Sequence, residues 1–196
     1  MIAFLKPGGV APAPVRLEAP RIYLRPPRPA DWKAWAALRE ASRAFLKPWE
    51  PTWPSDALDR GAFGRRLRRQ AGEWRSDEGY SFLVFRKHDD ALLGGIGITN
   101  VRRGVAQMAS IGYWVGGPYA RNGFMTEAVR ATVDFAIGEL NLHRVEAACI
   151  PANTASRGLL KKVGFVQEGV ARAYLKIDGE WQDHLLFALV REDLGK

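Results

Sequence analysis

Residues 113–130, YWVGGPYARNGFMTEAVR, run from an apolar strand end through a glycine-bearing turn and directly into a helix. Tyr113, Trp114 and Val115 close the strand, Gly116, Gly117 and Pro118 break it, and Arg121, Asn122 and Gly123 precede Thr126 and Glu127. A helix start leaves backbone N–H groups without intrahelical partners, and the positive end of the helix dipole favours an anion beside them. Gly123 matters because a phosphate approaches backbone amides closely only where no Cβ intervenes. An ordinary strand–turn–helix joint shares this pattern, so the rest of the chain must decide between the two.

Working outward, three β-rich runs precede the turn: 80–87, 92–101 and 106–115, joined by the short polar turns HDDA and RRGV. Such runs predict an antiparallel meander. Gly94, Gly95 and Gly97 resemble a dinucleotide fingerprint only superficially, since no helix follows; a bulge or a close backbone contact within a strand is expected. Downstream, a helix over 124–139 leads to the apolar strand 143–150. A second helix starts at Asn153 or Thr154 and ends at Gly164 behind Lys161 and Lys162. Strands at 165–174 and 184–190 flank a turn at 176–181, where Asp178 and Gly179 supply hairpin chemistry.

Upstream, RIYLRPP (21–27) alternates like a strand, and Asp31 is expected to cap a helix from Trp32 to about Ala44. FLKPWEPTWP (45–54) carries three prolines and two tryptophans, too rigid for a helix interior and too aromatic for an idle linker; it predicts an ordered loop that lines something. A helix capped by Ser55 or Asp56 then carries the basic run RRLRRQ, 65–70. Residues 1–20, rich in Pro, Ala and Gly, predict an extended, poorly ordered arm, leaving 21–196 as one domain. The element order predicts a mixed α/β sheet.

With 196 residues, 47% hydrophobic, seven Trp and nine Phe, the chain can bury a sizeable core without metals or disulfides. Its single cysteine, Cys149, excludes an internal disulfide framework and is expected as a buried thiol in a strand. No apolar run approaches the roughly 18 to 20 residues that span a bilayer, and Lys6 and Pro7 interrupt the first residues, so a cytoplasmic protein is expected. A net charge of +8 with a pI near 9.9 points to anionic company: a phosphorylated cofactor, a ribosomal RNA surface, or nucleic acid more loosely. For RRLRRQ itself, a solvated helix face and RNA contact are the two readings.

The element order, the P-x-N-x-x-S pattern (151–156) and a final helix ending in V-G-F (163–165) together resemble the GNAT acetyltransferase superfamily over about residues 20–192. FLKPWEP (45–51), GYW (112–114), NGFMTEA (122–128), PANTAS (151–156) and YLKIDGEWQDH (174–184) resemble its RimJ branch, the ribosomal-protein alanine N-acetyltransferases. The resemblance implies a mostly antiparallel sheet with flanking helices, whose strands at 106–115 and 143–150 splay apart to admit acetyl-CoA. It implies that Trp114 and Val115 present backbone groups to the pantetheine and the thioester. Ala120, Arg121, Asn122, Gly123, Phe124, Met125 and Thr126 would hold the pyrophosphate. Asn153 would hydrogen-bond the pantetheine arm, and Ser156 would lie near the sulfur. Ala120 departs from the Gln or Arg usual in that turn, and removes a side-chain contact while leaving the backbone donors.

Acetyl transfer needs a neutral amine, a polarised carbonyl and a stabilised thiolate leaving group. The N–H of Val115 is the oxyanion donor expected from the resemblance. Glu50 could accept a proton directly or through water, bind the cationic amine, or be a plain surface carboxylate. Ser156 could protonate the departing thiolate or merely cap its helix. Tyr174 and Asp183 lie beside the expected acceptor groove, and Tyr174 could instead be a packed strand residue. Asp183 and His184, being adjacent strand residues, face opposite ways and are not expected to form a dyad. His88 and His143 lack ligand-spaced partners, so no metal site is expected. The expected partners are acetyl-CoA and a protein N-terminus that begins with alanine, with a small-molecule amine or an rRNA-docking role as alternatives. Oligomeric state is not legible in the sequence.

Overall fold

Alternation within β2 (Ile22–Arg25) and β3 (Tyr80–Arg86) shows how the molecule is layered. Ile22, Leu24, Phe82 and Val84 point to one side, while Tyr23, Leu83 and Phe85 point to the other, and all are buried. The sheet is therefore covered on both faces. The computed structural model describes residues 15–195. The remaining elements are β1 (Leu17–Glu18), α1 (Trp32–Ala41), α2 (Arg43–Leu46), α3 (Arg60–Arg75), β4 (Leu92–Arg102), β5 (Met108–Val115), α4 (Phe124–Asp134), β6 (Arg144–Cys149), α5 (Thr154–Val163), β7 (Val166–Ile177) and β8 (Glu180–Val190). Eight strands form one sheet in the order β1-β2-β3-β4-β5-β6-β8-β7, antiparallel throughout except for the parallel pair β5–β6.

On one face, α4 lays down a stripe of Phe124, Met125, Ala128, Val129, Thr132 and Val133, and Leu160 of α5 joins it over Ile96, Ile98 and Ile111. A five-residue π-type turn, Phe135–Glu139, extends α4 to the predicted end. On the other face, Trp35 of α1 and Phe63 of α3 pack over Tyr23, Leu83, Phe85 and Leu92. No helix among the described residues is long and apolar enough to cross a membrane.

Several expectations change. Most of the predicted arm, residues 1–14, lies outside the described residues, but Leu17 and Glu18 already pair with Leu24 and Tyr23, so the ordered sheet starts before residue 20. Asp31 does not cap α1. It is itself helical (φ −75°), so its carboxylate turns back to Arg25 (2.7 and 2.6 Å) and to the N–H of Arg28 (2.6 Å). The helix predicted to reach Ala44 breaks at Ser42, whose buried hydroxyl accepts the N–H of Gly117 at 2.9 Å. The basic helix starts at Asp59, later than expected, which aims Phe63 at the core and leaves Asp56 to pair with Arg65. The last hairpin is longer than predicted: only Asp178 and Gly179 separate β7 from β8, both at positive φ (46° and 91°).

The glycine cluster of β4 makes the predicted close contact. A Cβ at Gly94 would sit 2.2 Å from the carbonyl oxygen of Trp114, and one at Gly95 would meet the Trp114 indole at 2.6 Å. Gly94→Ala should therefore destabilise the fold by about 1–3 kcal/mol through overpacking. A denaturant titration checks this, with a lower midpoint and an unchanged slope expected.

Candidate active site

The β5–β6 pair is short. Met108, Ala109 and Ser110 register with Arg144, Val145 and Glu146, and no pair joins the strands beyond that point. The ladder parity shows what this leaves bare. Gly116 donates to the carbonyl of Leu93 at 2.8 Å, so the Gly94–Val115 pair is a non-hydrogen-bonded one, and the N–H and C=O of Val115 point away from β4. By the same alternation Tyr113, Ile111 and Ala109 point their backbone groups toward β6. Gln107 confirms the phase, since its carbonyl accepts from His143 and Arg144 at 2.7 and 3.2 Å. Tyr113 and Val115 thus offer main-chain groups to a wedge where β6 has diverged. The expectation for Trp114 is corrected: its own N–H and C=O belong to the ladder with Gly95, and only its indole faces outward.

At the mouth of the wedge, the turn after β5 is tightly wound. Gly123 (φ 79°) and Arg121 (φ 63°) take left-handed conformations, and α4 begins at Phe124. The first helical bonds run from Thr126 and Glu127 to the carbonyl of Gly123, at 3.1 and 3.3 Å. Among the described residues, the N–H groups of Arg121, Asn122, Gly123, Phe124 and Met125 donate to no backbone carbonyl. Ala120 contributes a carbonyl, which the Asn122 amide holds at 3.0 Å. Arg21, just before β2, braces the turn. Its Nε donates to Glu127 Oε1 at 2.6 Å, its Nη2 to the Asn122 carbonyl at 3.0 Å, and its guanidinium lies over the Phe124 ring. Glu127 would repel an anion at this helix start, and Arg21 offsets its charge.

Across the wedge, Asn153 caps α5 by accepting the N–H of Ser156 at 3.0 Å, which leaves its NH₂ group uncommitted. The Ser156 hydroxyl lies 2.8 Å from that of Tyr113, bridging β5 to α5 where the ladder is missing. Burial pushes the Tyr113 hydroxyl up to about 12, so it holds its proton at neutral pH. Burial also raises the thiol of Cys149, which is buried in β6 as expected and reached by the same serine. Because the folded chain keeps the Tyr113 proton while the unfolded chain releases it near pH 10, stability is intact below pH 10 and falls as pH rises toward 12, by about 1.4 kcal/mol per pH unit for this group. Tyr23 and Tyr80, also raised mainly by burial, act in the same direction. Thermal melts from pH 8 to 11.5 should show this loss, with a shallower slope in Tyr113→Phe.

The opposite face of the sheet opens into a trough of about 650 Å³, floored by Gly95, Gly97, Gly112 and Trp114 and walled by α3, Glu50 and Tyr174. The proline–tryptophan loop is ordered and does line it. Glu50 accepts from Arg39 at 2.7 and 2.6 Å and from the Trp53 indole at 2.8 Å, so three of its roughly four acceptor positions are filled. The carbonyl of Glu50 accepts the N–H of Asp178, tying the loop to the tip of the β7–β8 hairpin. Tyr174 is exposed on that hairpin, edge-on to His184 at 5.6 Å. No Asp183–His184 dyad forms: Asp183 accepts the N–H of Ala173, and the buried His184 ring contacts the Gln182 carbonyl. Among the described residues no cluster suited to a metal ion occurs.

Val115 lies on the bare edge of β5 beside the Tyr113–Ser156 contact, Asn153 caps the helix that carries Ser156, and residues 120–126 follow the end of β5, while Glu50 and Tyr174 line the trough. Sequence reasoning missed Tyr113, Arg21 and Arg39. Alternation alone would have placed Tyr113 and Val115 on one strand edge; Arg21 acts across 106 residues of sequence and Arg39 across 11, and nothing local marks them.

Comparison with known proteins bears on this geometry. Residues 21–166 match the acetyltransferase (GNAT) domain. The [ribosomal protein uS5]-alanine N-acetyltransferase of Escherichia coli is 32% identical, across 91% of this chain and 92% of that protein. The structure of Mycobacterium smegmatis RimJ in complex with CoA-disulfide superposes with a TM-score of 0.88 at 34% identity, covering 93% of this chain and 90% of the other. The ribosomal-protein-S5-alanine acetyltransferase of Vibrio fischeri gives 0.85 at 30% identity, covering 91% and 98%. With this sheet, this wedge and these relatives, the chain belongs to the GNAT acetyltransferase family.

Proposed function

We propose that the chain transfers the acetyl group of acetyl-CoA to the α-amino group of an alanine-led protein N-terminus, ribosomal or similar, in the cytoplasm. The observation that carries this reading is the bare main-chain edge of Tyr113 and Val115, reached from the cradle on one face and the trough on the other. Acetyl-CoA enters from the cradle side. The free N–H groups of residues 121–125 take the pyrophosphate, and the Asn153 amide takes a pantetheine carbonyl. The relatives' names, which specify alanine on ribosomal protein S5, support the acceptor.

The amine nitrogen attacks the thioester carbonyl from the trough side, the N–C bond forms, and the oxyanion is met by the Val115 N–H. Collapse breaks the C–S bond and the thiolate takes a proton from the Ser156 hydroxyl, which regains one from solvent as CoA leaves, while Tyr113 keeps its own proton and holds the serine in place through their hydrogen bond. The nitrogen loses its extra proton to water held at the open acceptor position of Glu50, while Tyr174 packs against the acceptor chain. An α-amine suits a site with so little free base. Its pKa of about 7.7–8.0, against about 10.4 for lysine, leaves roughly a tenth or more neutral near pH 7.

Purified protein with acetyl-CoA and alanine-led peptides should release CoA, and Ser156→Ala should lower kcat by about 10²-fold with a smaller change in the KM for acetyl-CoA. Turnover of small amines with no peptide accepted would replace this reading by a metabolite acetyltransferase. The trough volume favours that second reading to the extent that it can enclose a small acceptor. Gly123→Ala, strained at its positive φ and pressed within 3.2 Å of Arg21, should weaken CoA binding by about tenfold, measured by calorimetry.

A further inference from the structure

The charged side chains that line the trough are Glu50, Arg66, Arg69, Glu73, Arg144, Glu146 and Glu168. All but one are matched. Glu50 is held by Arg39, Arg69 pairs with Glu73 at 3.3 Å, and Arg144 pairs with Glu146 at 2.9 Å and with Glu168. Among the described residues, Arg66 makes no ion pair and no hydrogen bond. Its one close partner is the ring of Trp35, whose centroid lies 5.7 Å from the guanidinium carbon. Trp35 is itself buried against Phe63 at 5.0 Å, so a rigid aromatic surface backs the guanidinium.

One helical turn along α3, Gln70 lines the same trough, and its carbonyl oxygen is buried without a hydrogen-bond partner. A free donor fork and a free acceptor thus sit side by side. Packing of its guanidinium, with Arg39 and Arg69 nearby, holds Arg66 below the usual arginine range against the opposing pull of Glu50 and Glu73, while the residue keeps an exposed edge. Arg66 thus has no ion-pair partner of its own, with Glu50 and Glu73 as the nearest carboxylates.

We propose that Arg66 and Gln70 form an acceptor-recognition subsite that binds a carboxylate through Arg66 and a neighbouring N–H through Gln70. The inference rests on the trough being the acceptor side of the proposed transferase. A carboxylate fits better than a phosphate. The guanidinium fork matches its two oxygens and has no ion-pair partner to give up first, whereas a dianion would meet Glu50 and Glu73 with no second free cation. On a peptide acceptor the carboxylate is that of an Asp or Glu a few residues after the amine. On a small acceptor it would be the substrate's own carboxyl group.

Alanine-led peptides carrying Asp, Asn or Lys at each of positions two to five separate these cases, together with a free amino acid and its amide. Turnover and, in the presence of CoA, calorimetric binding are measured for the wild type, Arg66→Ala and Arg66→Glu. At one peptide position the wild type should prefer Asp over Asn by about tenfold in kcat/KM, carried mainly by KM. Arg66→Ala should bring that ratio to about one. Arg66→Glu should reverse it in favour of Lys, a gain that a misfolded variant could not produce. A preference for the amino acid over its amide, lost in Arg66→Ala, with no positional effect in peptides, assigns the carboxylate to a small acceptor. A wild type indifferent to charge in every acceptor, or a preference that survives Arg66→Ala, overturns the subsite. Absence of any turnover counts against acetyl transfer instead, and the same peptides' binding ratios still decide the role of Arg66.

Discussion

The parting of β5 and β6 after Ser110 and Glu146 is the constraint on which the rest of the molecule depends. A parallel pair that continued would satisfy the backbone of Tyr113 and Val115 and leave no room for a ligand. Because β6 turns instead to β8, with Cys149 opposite Leu185, the main-chain groups of these two residues are left facing a wedge. Unpaired backbone groups inside a protein cost free energy unless something fulfils them, so the wedge is pre-set to accept a ligand with matching donors and acceptors. The Tyr113–Ser156 hydrogen bond spans the opening and holds α5 at its proper distance from the strand.

The two sides of the wedge are built by different means. On the cradle side the donors are backbone amides, held in place by two left-handed residues and by Arg21, so side-chain identity matters little there apart from Gly123. That explains why Ala120 is compatible with the same turn. The trough side is built from side chains. Arg39, mostly buried, grips Glu50 with both arms and lies over the rings of Trp53 and Trp114, so a single residue joins α1, the proline-rich loop and β5. Removing either partner of such a pair strands the other's charge away from water, at a typical cost of about 3–5 kcal/mol. The loop can therefore serve as a fixed wall, and the Glu50–Asp178 backbone bond extends that wall into the last hairpin.

Sequence patterns and structure disagree where long-range contacts overrule local chemistry. Asp31 has the composition and place of an N-cap, yet Arg25, six residues away and brought alongside by β2, draws its carboxylate off. Ser42 sits mid-pattern in an apparent helix, but its hydroxyl is needed by Gly117, seventy-five residues later, and the helix breaks there. The hairpin is longer than its polar composition suggests because β7 is an edge strand whose exposed residues need not alternate in hydrophobicity. The strands of the meander, α4 and α5 match expectation closely. Their periodicity is strong, and Asn153 and Gly164 end α5 by purely local stereochemistry.

By itself, the sequence determined the mixed α/β class, the helix start whose amides are left unpaired, the close approach at Gly94 and Gly95, and the membership implied by its linked motifs. These features follow from backbone stereochemistry and from apolar period, which act between near neighbours in the chain. Only the tertiary structure decided which strand edge is bare, that Trp114 turns its backbone away from the wedge, that Glu50 is already occupied by Arg39, and that Arg66 has no counter-ion. Each of these depends on strand register or on an ion pair between distant segments. Register is set by how the whole sheet buries its faces, and a one-residue shift would exchange every group now facing the wedge for one facing β4.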